Sequence, residues 1–258
     1  MNYGKKGVRA KQKALNSKSQ KWGRKLALTC VKIMLAAVVG IGICGVAAGI
    51  GVFRGILSST PTIRLSDVVA VGEATIVYDK EGNEIDQYVS TNSNRLSVGM
   101  DEIPDYLGKA FVAIEDERFY QHNGIDVKGI LRAGYQFIKT GGEEAQGAST
   151  ITQQLIKNNV FPDFVNENTF EEKLERKIQE QYLAIQVEKQ LDKDSILESY
   201  LNTINLGQDC LGVQSAAQRY FNKDVNELNL SESATIAAIT QNPGRYNPIT
   251  NPEDNATR

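Results

Sequence analysis

The stretch "DYLGKAFVAIEDERFYQHNG", Asp105 to Gly124, decides how this chain is read. On a helix, Glu115 shares a face with Leu107, Phe111 and Phe119, at offsets of eight and four residues. Asp116 falls with Val112 and Tyr120, and Glu117 with Ala113 and Gln121. A carboxylate held among aromatics loses hydration, which disfavours its ionised form and gives the environment a general acid or base needs. Glu117 reads as part of a solvated face, whereas the apolar neighbours of Glu115 argue against that reading for it. His122, the only histidine, reads as a structural residue bonding a nearby loop or capping carbonyls.

Working outward, charge divides the chain in two. Of the 29 Lys and Arg residues, 10 precede Arg54, while all 31 Asp and Glu follow it, which leaves the rest of the chain at −12. Between these regimes, Ile33 to Phe53 carries no charge and is long enough to cross a bilayer. The expectation is a basic cytoplasmic tail over 1–25, one transmembrane helix over 26–53, a linker over 54–73 and a globular domain over 74–258. Basic flanks stay on the cytoplasmic side, so the positive-inside rule places the domain outside the cell membrane. Its acidity argues against nucleic acid as a partner. Of the three cysteines, Cys30 and Cys44 fall in or beside the apolar span, so Cys210 has no disulfide partner in the domain and reads as a buried apolar side chain.

"ATIVYDKEGNEIDQYVS" (Ala74 to Ser90) reads as a hairpin turning at Asp79 to Asn83. Beyond Pro104 helical periodicity dominates to about Ala238, so the fold class is mostly α with a small β element at its start. A second carboxylate, Glu180, has Lys177 and Arg176 three and four residues before it, which taken alone is a surface salt-bridge ladder. "GGEEAQGASTITQQLIKN" (Gly141 to Asn158) ends a glycine-rich loop in hydroxyls and amides, then Lys157. Thr150 with Gln153 fits a capping box, and the same helix start could equally receive phosphate oxygens.

Four segments together carry a resemblance. "EDERFYQHNG" (Glu115 to Gly124), "GASTITQQL" (Gly147 to Leu155), "RKIQE" (Arg176 to Glu180) and "ILESYLNTINLG" (Ile196 to Gly207) are similar, in order, to the motifs of family 51 peptidoglycan glycosyltransferases. That family comprises the transglycosylase domains of class A penicillin-binding proteins and the monofunctional transglycosylases. The resemblance implies a lysozyme-like helical domain with a smaller jaw that dips into the membrane. It implies polymerisation of lipid II into glycan strands, with release of undecaprenyl pyrophosphate, in bacterial cell wall synthesis. Partners would be lipid II, the growing glycan strand, the cytoplasmic membrane and other cell-wall synthesis proteins.

Carried onto this sequence, the resemblance makes Glu115 the general base acting on the acceptor hydroxyl, with Asp116 supporting it. Glu180 becomes a second catalytic carboxylate near the leaving pyrophosphate, acting through a divalent cation (Mg2+ or Mn2+) or through adjacent basic groups such as Lys177. No organic cofactor is implied. Ser149, Gln153, Gln154 and Lys157 match donor-lining positions, and Arg132 matches a phosphate-contacting one. Tyr200 and Asn202 read as organisers of the fold. Two departures stand out: Glu171 and Glu172 are acidic where relatives carry a basic contact, and the family's fifth, arginine-rich motif would only begin at Arg258. The domain is therefore expected to be truncated at that end, and no serine acyl-enzyme chemistry of a transpeptidase is expected from these residues. A lytic enzyme cleaving glycan and an inactive membrane-anchored scaffold remain the alternative readings.

Overall fold

A computed structural model of the chain describes residues 4–15, 18–69, 75–88, 95–141 and 147–258. It forms two units, Met1–Ser59 and Thr60–Arg258. The first holds α1 (Lys5–Leu15) and α2 (Lys18–Ser58). The expected span over 26–53 lies inside the longer α2, since no proline interrupts it and good helix formers flank it. Its stretch Trp22–Ser58 is long and apolar enough to cross a membrane. Cys30 and Cys44 are exposed on this helix.

In the second unit, the stretch expected as a linker is partly built into the domain. The helix α2 runs on to Ser58, and a short helix α3 (Leu65–Val68) follows, with Val68 fully buried. Apolar Val68 inside a polar stretch gives that segment something to bury, which a free linker lacks. Strands β1 (Thr75–Tyr78) and β2 (Glu84–Tyr88) then pair antiparallel, with Thr75 opposite Tyr88. The hairpin turns where the sequence indicates: the Asp79 carboxylate accepts the Glu81 and Asn83 amides at 2.9 and 2.8 Å, and Gly82 takes φ 88°.

The rest of the unit is helical: α4 (Asp105–Glu115), α5 (Val127–Lys139), α6 (Ile151–Val160), α7 (Phe170–Val187), α8 (Lys193–Leu201), α9 (Val213–Phe221), α10 (Leu230–Ala238) and α11 (Pro252–Thr257). Local chemistry marks several starts: Thr169 with Glu172 and Asn229 with Glu232 form capping boxes, and Asp192 accepts the Ser195 amide at 2.8 Å. Helix α6 packs against α7 and α8, and α4 against α10. The core between them is built from Leu107 and Phe111 of α4, Ile151, Leu155 and Ile156 of α6, and Ile196, Leu197, Tyr200 and Leu201 of α8. Each such side chain is worth about 1.5–3 kcal/mol when fully buried. Phe111 meets Tyr200 edge to face, with centroids 6.1 Å apart.

Two readings are settled by this packing. Asn202 exchanges bonds with the backbone of Val98, its Oδ1 accepting at 3.0 Å and its Nδ2 donating at 2.8 Å, so it does organise the fold. Cys210 is buried, which pushes its thiol up to about 11 and leaves it an inert apolar group. One expectation fails. Helix α4 stops at Glu115 instead of continuing to His122, because Asp116 leaves the helix at φ −153°, ψ 69° and turns its carboxylate inward. Phe119 therefore lies in a separate 3-10 turn, Phe119–Gln121, still fully buried.

Three residues past the turn comes Gly124, whose φ of +88° and position against α7 exclude a side chain: a Cβ there would sit 2.7 Å from the Ala184 carbonyl carbon. Its own carbonyl accepts the Thr150 hydroxyl at 2.9 Å. Gly124→Ala is expected to destabilise the domain by about 1–3 kcal/mol through overpacking alone, with added strain at positive φ. Thermal unfolding followed by circular dichroism should show a lowered midpoint; an unchanged midpoint would contradict this close approach.

Candidate active site

Glu115 sits at the last turn of α4, where the chain leaves the helix and the side chain projects past its end. It is 13% exposed. Its Oε2 accepts the Gln154 amide at 2.8 Å, and its Oε1 accepts the Thr240 hydroxyl. The Arg258 guanidinium reaches Oε1 at 3.5 Å. The Gln154 amide is held in turn, since the Tyr200 hydroxyl donates to its Oε1 at 3.2 Å. Apolar α4 positions thus bring Glu115 to the site, but what meets its carboxylate is a set of polar donors: Gln154 of α6, Thr240 just beyond α10, and Arg258.

Asp116, expected to support Glu115 at the substrate, faces away from it. The side chain is buried, both oxygens lie 3.0 Å from His122 Nε2, and Oδ2 also accepts the Ile151 amide at 3.0 Å. It is a positioning group that holds the start of α6, and His122 is structural, as its reading indicates. Gln153 is likewise corrected: it is buried and its amide donates to the Gly124 carbonyl at 3.2 Å, so it neither lines a donor site nor completes a capping box. Thr150 does cap α6, accepting the Gln153 amide at 3.2 Å. With the Ile151 and Gln153 amides both taken, the two roles left open for this helix start resolve toward structure.

The second carboxylate is enclosed by cations. Glu180 on α7 is 0% exposed; Oε1 accepts from Arg176, and Oε2 accepts from Lys177 Nζ at 2.6 Å. Lys177 also donates to Ser149 Oγ at 3.0 Å, while Arg176 Nε donates to Glu167 at 2.6 Å. Desolvation works to lower the Arg176 pKa, but Glu167 and Glu180 outweigh it and the guanidinium is held above its usual value. The divalent cation expected at Glu180 does not fit this donor set: both oxygens already face a cation, and among the described residues no group of three or more His, Cys, Asp or Glu is assembled to hold a metal.

Lys157 projects from the same helix as Gln154, its ammonium 4.7 Å from the centre of the Phe164 ring. Among the described residues it makes no ion pair. Partial burial, reinforced by the nearby Lys177 and Arg176 charges, lowers its pKa; Glu180 and Glu115 oppose this only in part. A half-buried cation repelled by its own neighbours is poised to take an anion. Arg132 on α5 is 49% exposed, lies 3.7 Å from Glu117, and lines one recess with Glu115 and Ser149. The structure therefore unites Glu115 with Gln154, and Ser149 with Lys177 and Glu180, and it joins the two groups through α6.

Residues 81–258 match the family model described as Transglycosylase. The chain belongs to the transglycosylase family. Among its relatives, this transglycosylase is 45% identical over 202 residues to penicillin-binding protein 1A of Clostridium novyi, a match covering 77% of this chain and 23% of that protein. It is 44% identical over 217 residues to penicillin-binding protein 1A of Clostridium perfringens, covering 82% and 31%. Penicillin-binding protein 1F of Bacillus subtilis is 42% identical over 182 residues, covering 70% and 24%. The chain thus spans roughly a quarter to a third of the length of these relatives.

Sequence reasoning missed four groups of this transglycosylase site. Thr240 and Glu167 lie outside every motif and meet their partners only through the fold. Phe164 sits in the short break between α6 and α7 beside a second aromatic, Phe161, and nothing in that pattern says which of the two faces Lys157. Arg258 did carry a signal, as the first residue of the expected fifth motif.

The lowered Lys157 pKa predicts a pH dependence. The charged form is complete at low pH and is lost below the usual lysine range as pH rises, so KM for a phosphate-bearing substrate should climb on the alkaline side. Lys157→Arg should move that climb to higher pH, because guanidinium stays charged. Initial rates across alkaline pH for both proteins test this; coincident profiles would remove Lys157 from the phosphate-binding role.

Proposed function

We propose that the chain is a membrane-anchored peptidoglycan glycosyltransferase that polymerises lipid II into glycan strands and releases undecaprenyl pyrophosphate. The observation that carries the reading is the joining, through one helix, of a carboxylate that can accept a proton to a cluster of cations suited to a diphosphate. Glu115 takes the proton from the acceptor hydroxyl as that oxygen bonds to the donor's anomeric carbon. The bond from that carbon to the diphosphate breaks, and the departing charge is met by Lys157, Lys177 and Arg176, with Arg132 at the rim. Glu180, with its oxygens engaged, holds the Lys177 and Arg176 side chains in place.

Divalent cations usually accompany transglycosylases of this family. Since the Glu180 donor set does not fit one, Lys177 supplies the neutralising charge in this reading. The membrane side of the proposal rests on α2 and on α5. Leu131 and Ile138 of α5 are 69% and 82% exposed, and Val127, Tyr135 and Phe137 are also solvent-facing, alongside Lys128, Arg132 and Lys139. An apolar helix face rimmed by basic residues suits the jaw that the family resemblance implies, lying in the lipid interface. With the basic tail cytoplasmic, this domain works outside the cell membrane.

Two expectations test the reading. Glu115→Gln should lower glycan polymerisation roughly 10²- to 10⁴-fold, scored as loss of the polymer ladder from fluorescent lipid II on a gel; near wild-type activity would remove the base assignment, and cleaved glycan from the native chain would favour a lytic enzyme. Lys177→Met should also depress activity, and added Mg2+ or Mn2+ should fail to restore it. Restoration by the metal would return a cation to the Glu180 site.

A further inference from the structure

We infer that Thr240 is a positioning residue for Glu115, the hydroxyl that follows the proton on and off the carboxylate. The inference rests on Glu115 being the base. Thr240 lies two residues beyond α10, outside all the motifs of the sequence, and its Oγ1 has two acceptors within reach: Glu115 Oε1 and, at 3.1 Å, the Ala237 carbonyl. A hydroxyl has one hydrogen and two lone pairs, so it can donate to only one of them at a time. While Glu115 is ionised, the hydrogen points at Oε1. Once Oε1 has taken the acceptor's proton, the hydroxyl turns to donate to the Ala237 carbonyl and accepts the new O–H through a lone pair.

The opposite oxygen lacks this freedom. Gln154 Nε2 donates to Oε2 at 2.8 Å, and the Tyr200 hydroxyl, donating to Gln154 Oε1 at 3.2 Å, fixes which end of the amide faces Glu115. Tyr200 is fully buried, so the amide cannot turn over without stranding that hydroxyl. Gln154 is a donor in both states, which suits an oxygen that stays unprotonated. Arg258 Nη2, 3.5 Å from Oε1, is too far to replace the hydroxyl bond. The geometry therefore gives Oε1 the proton and Oε2 the fixed anchor.

The test uses the full chain purified in detergent, with lipid II as substrate. Thr240→Val keeps the shape and removes the hydroxyl, and should lower kcat roughly tenfold to a hundredfold, with KM unchanged within about twofold. Thr240→Ser keeps Oγ and should retain most of the activity. Thr240→Val as active as the native chain, beside an inactive Glu115→Gln, would overturn the Thr240 inference alone. Equal impairment of the Val and Ser variants, with raised KM, would also overturn it by showing a packing role. Full activity of Glu115→Gln would instead remove the base reading, and this inference with it.

Discussion

One buried carboxylate sets the geometry of the whole site. Asp116 receives His122 Nε2 and the Ile151 amide on a side chain with almost no exposure, so the end of α4 and the start of α6 are held to each other within a hydrogen bond. An unpartnered charge at that depth would cost several kcal/mol, so the partners are obligatory. Asp116 follows Glu115 directly, and the same break that turns Asp116 inward leaves Glu115 at the helix end, aimed at Gln154. Adjacent acids thus take opposite roles because their backbone directions differ, although their side chains are nearly alike.

The second carboxylate shows how burial decides between chemistry and support. Glu180 is more buried than Glu115, yet its two oxygens are saturated by Arg176 and Lys177, while Glu167 holds Arg176 from the other side. Such a cluster gains little net stability, since desolvation cancels much of the attraction. What it provides is fixed direction: two long cationic side chains are held facing Ser149 and Lys157. A carboxylate at the centre of a cationic pocket, its charge already matched on both oxygens, is compatible with the diphosphate proposed to bind there.

Much of this was legible in the sequence, for identifiable reasons. Helical periodicity placed Leu107 and Phe111 in the core, the Asp79 to Asn83 turn carried its own hydrogen-bonding groups, and the uncharged run before Arg54 measured a membrane span. Motif spacing placed Glu115, Glu180, Ser149, Gln154 and Lys177 where the fold brings them together in two linked groups. The failures have one physical origin. Gln153 and Asp116 belong to motifs, but motif membership does not say which way a side chain points, and both point into the core. Thr240 and Glu167 reach the site only through tertiary contacts, from segments whose local patterns are those of an ordinary helix end and a polar break.

The proposed substrate class fits how the charges and the apolar surface are distributed. A glycan alone offers hydroxyls and amides; Glu180 and Glu167 account for Lys177 and Arg176, but Lys157, beside them without an ion pair among the described residues, matches no part of a glycan. Partial burial, reinforced by repulsion from Lys177 and Arg176, lowers the Lys157 pKa; Glu180 and Glu115 offset this in part, and a bound anion would offset it further. Phe164 lies beside both cations, 4.7 Å from the Lys157 ammonium and 5.7 Å from the Arg176 guanidinium, and its ring face offsets part of the lost hydration. Arg132, at the rim of the exposed apolar face of α5, lines the Glu115 recess, so that apolar face and the recess share one helix. The proposed ligand, at once lipid, diphosphate and sugar, has one part for each of these three features.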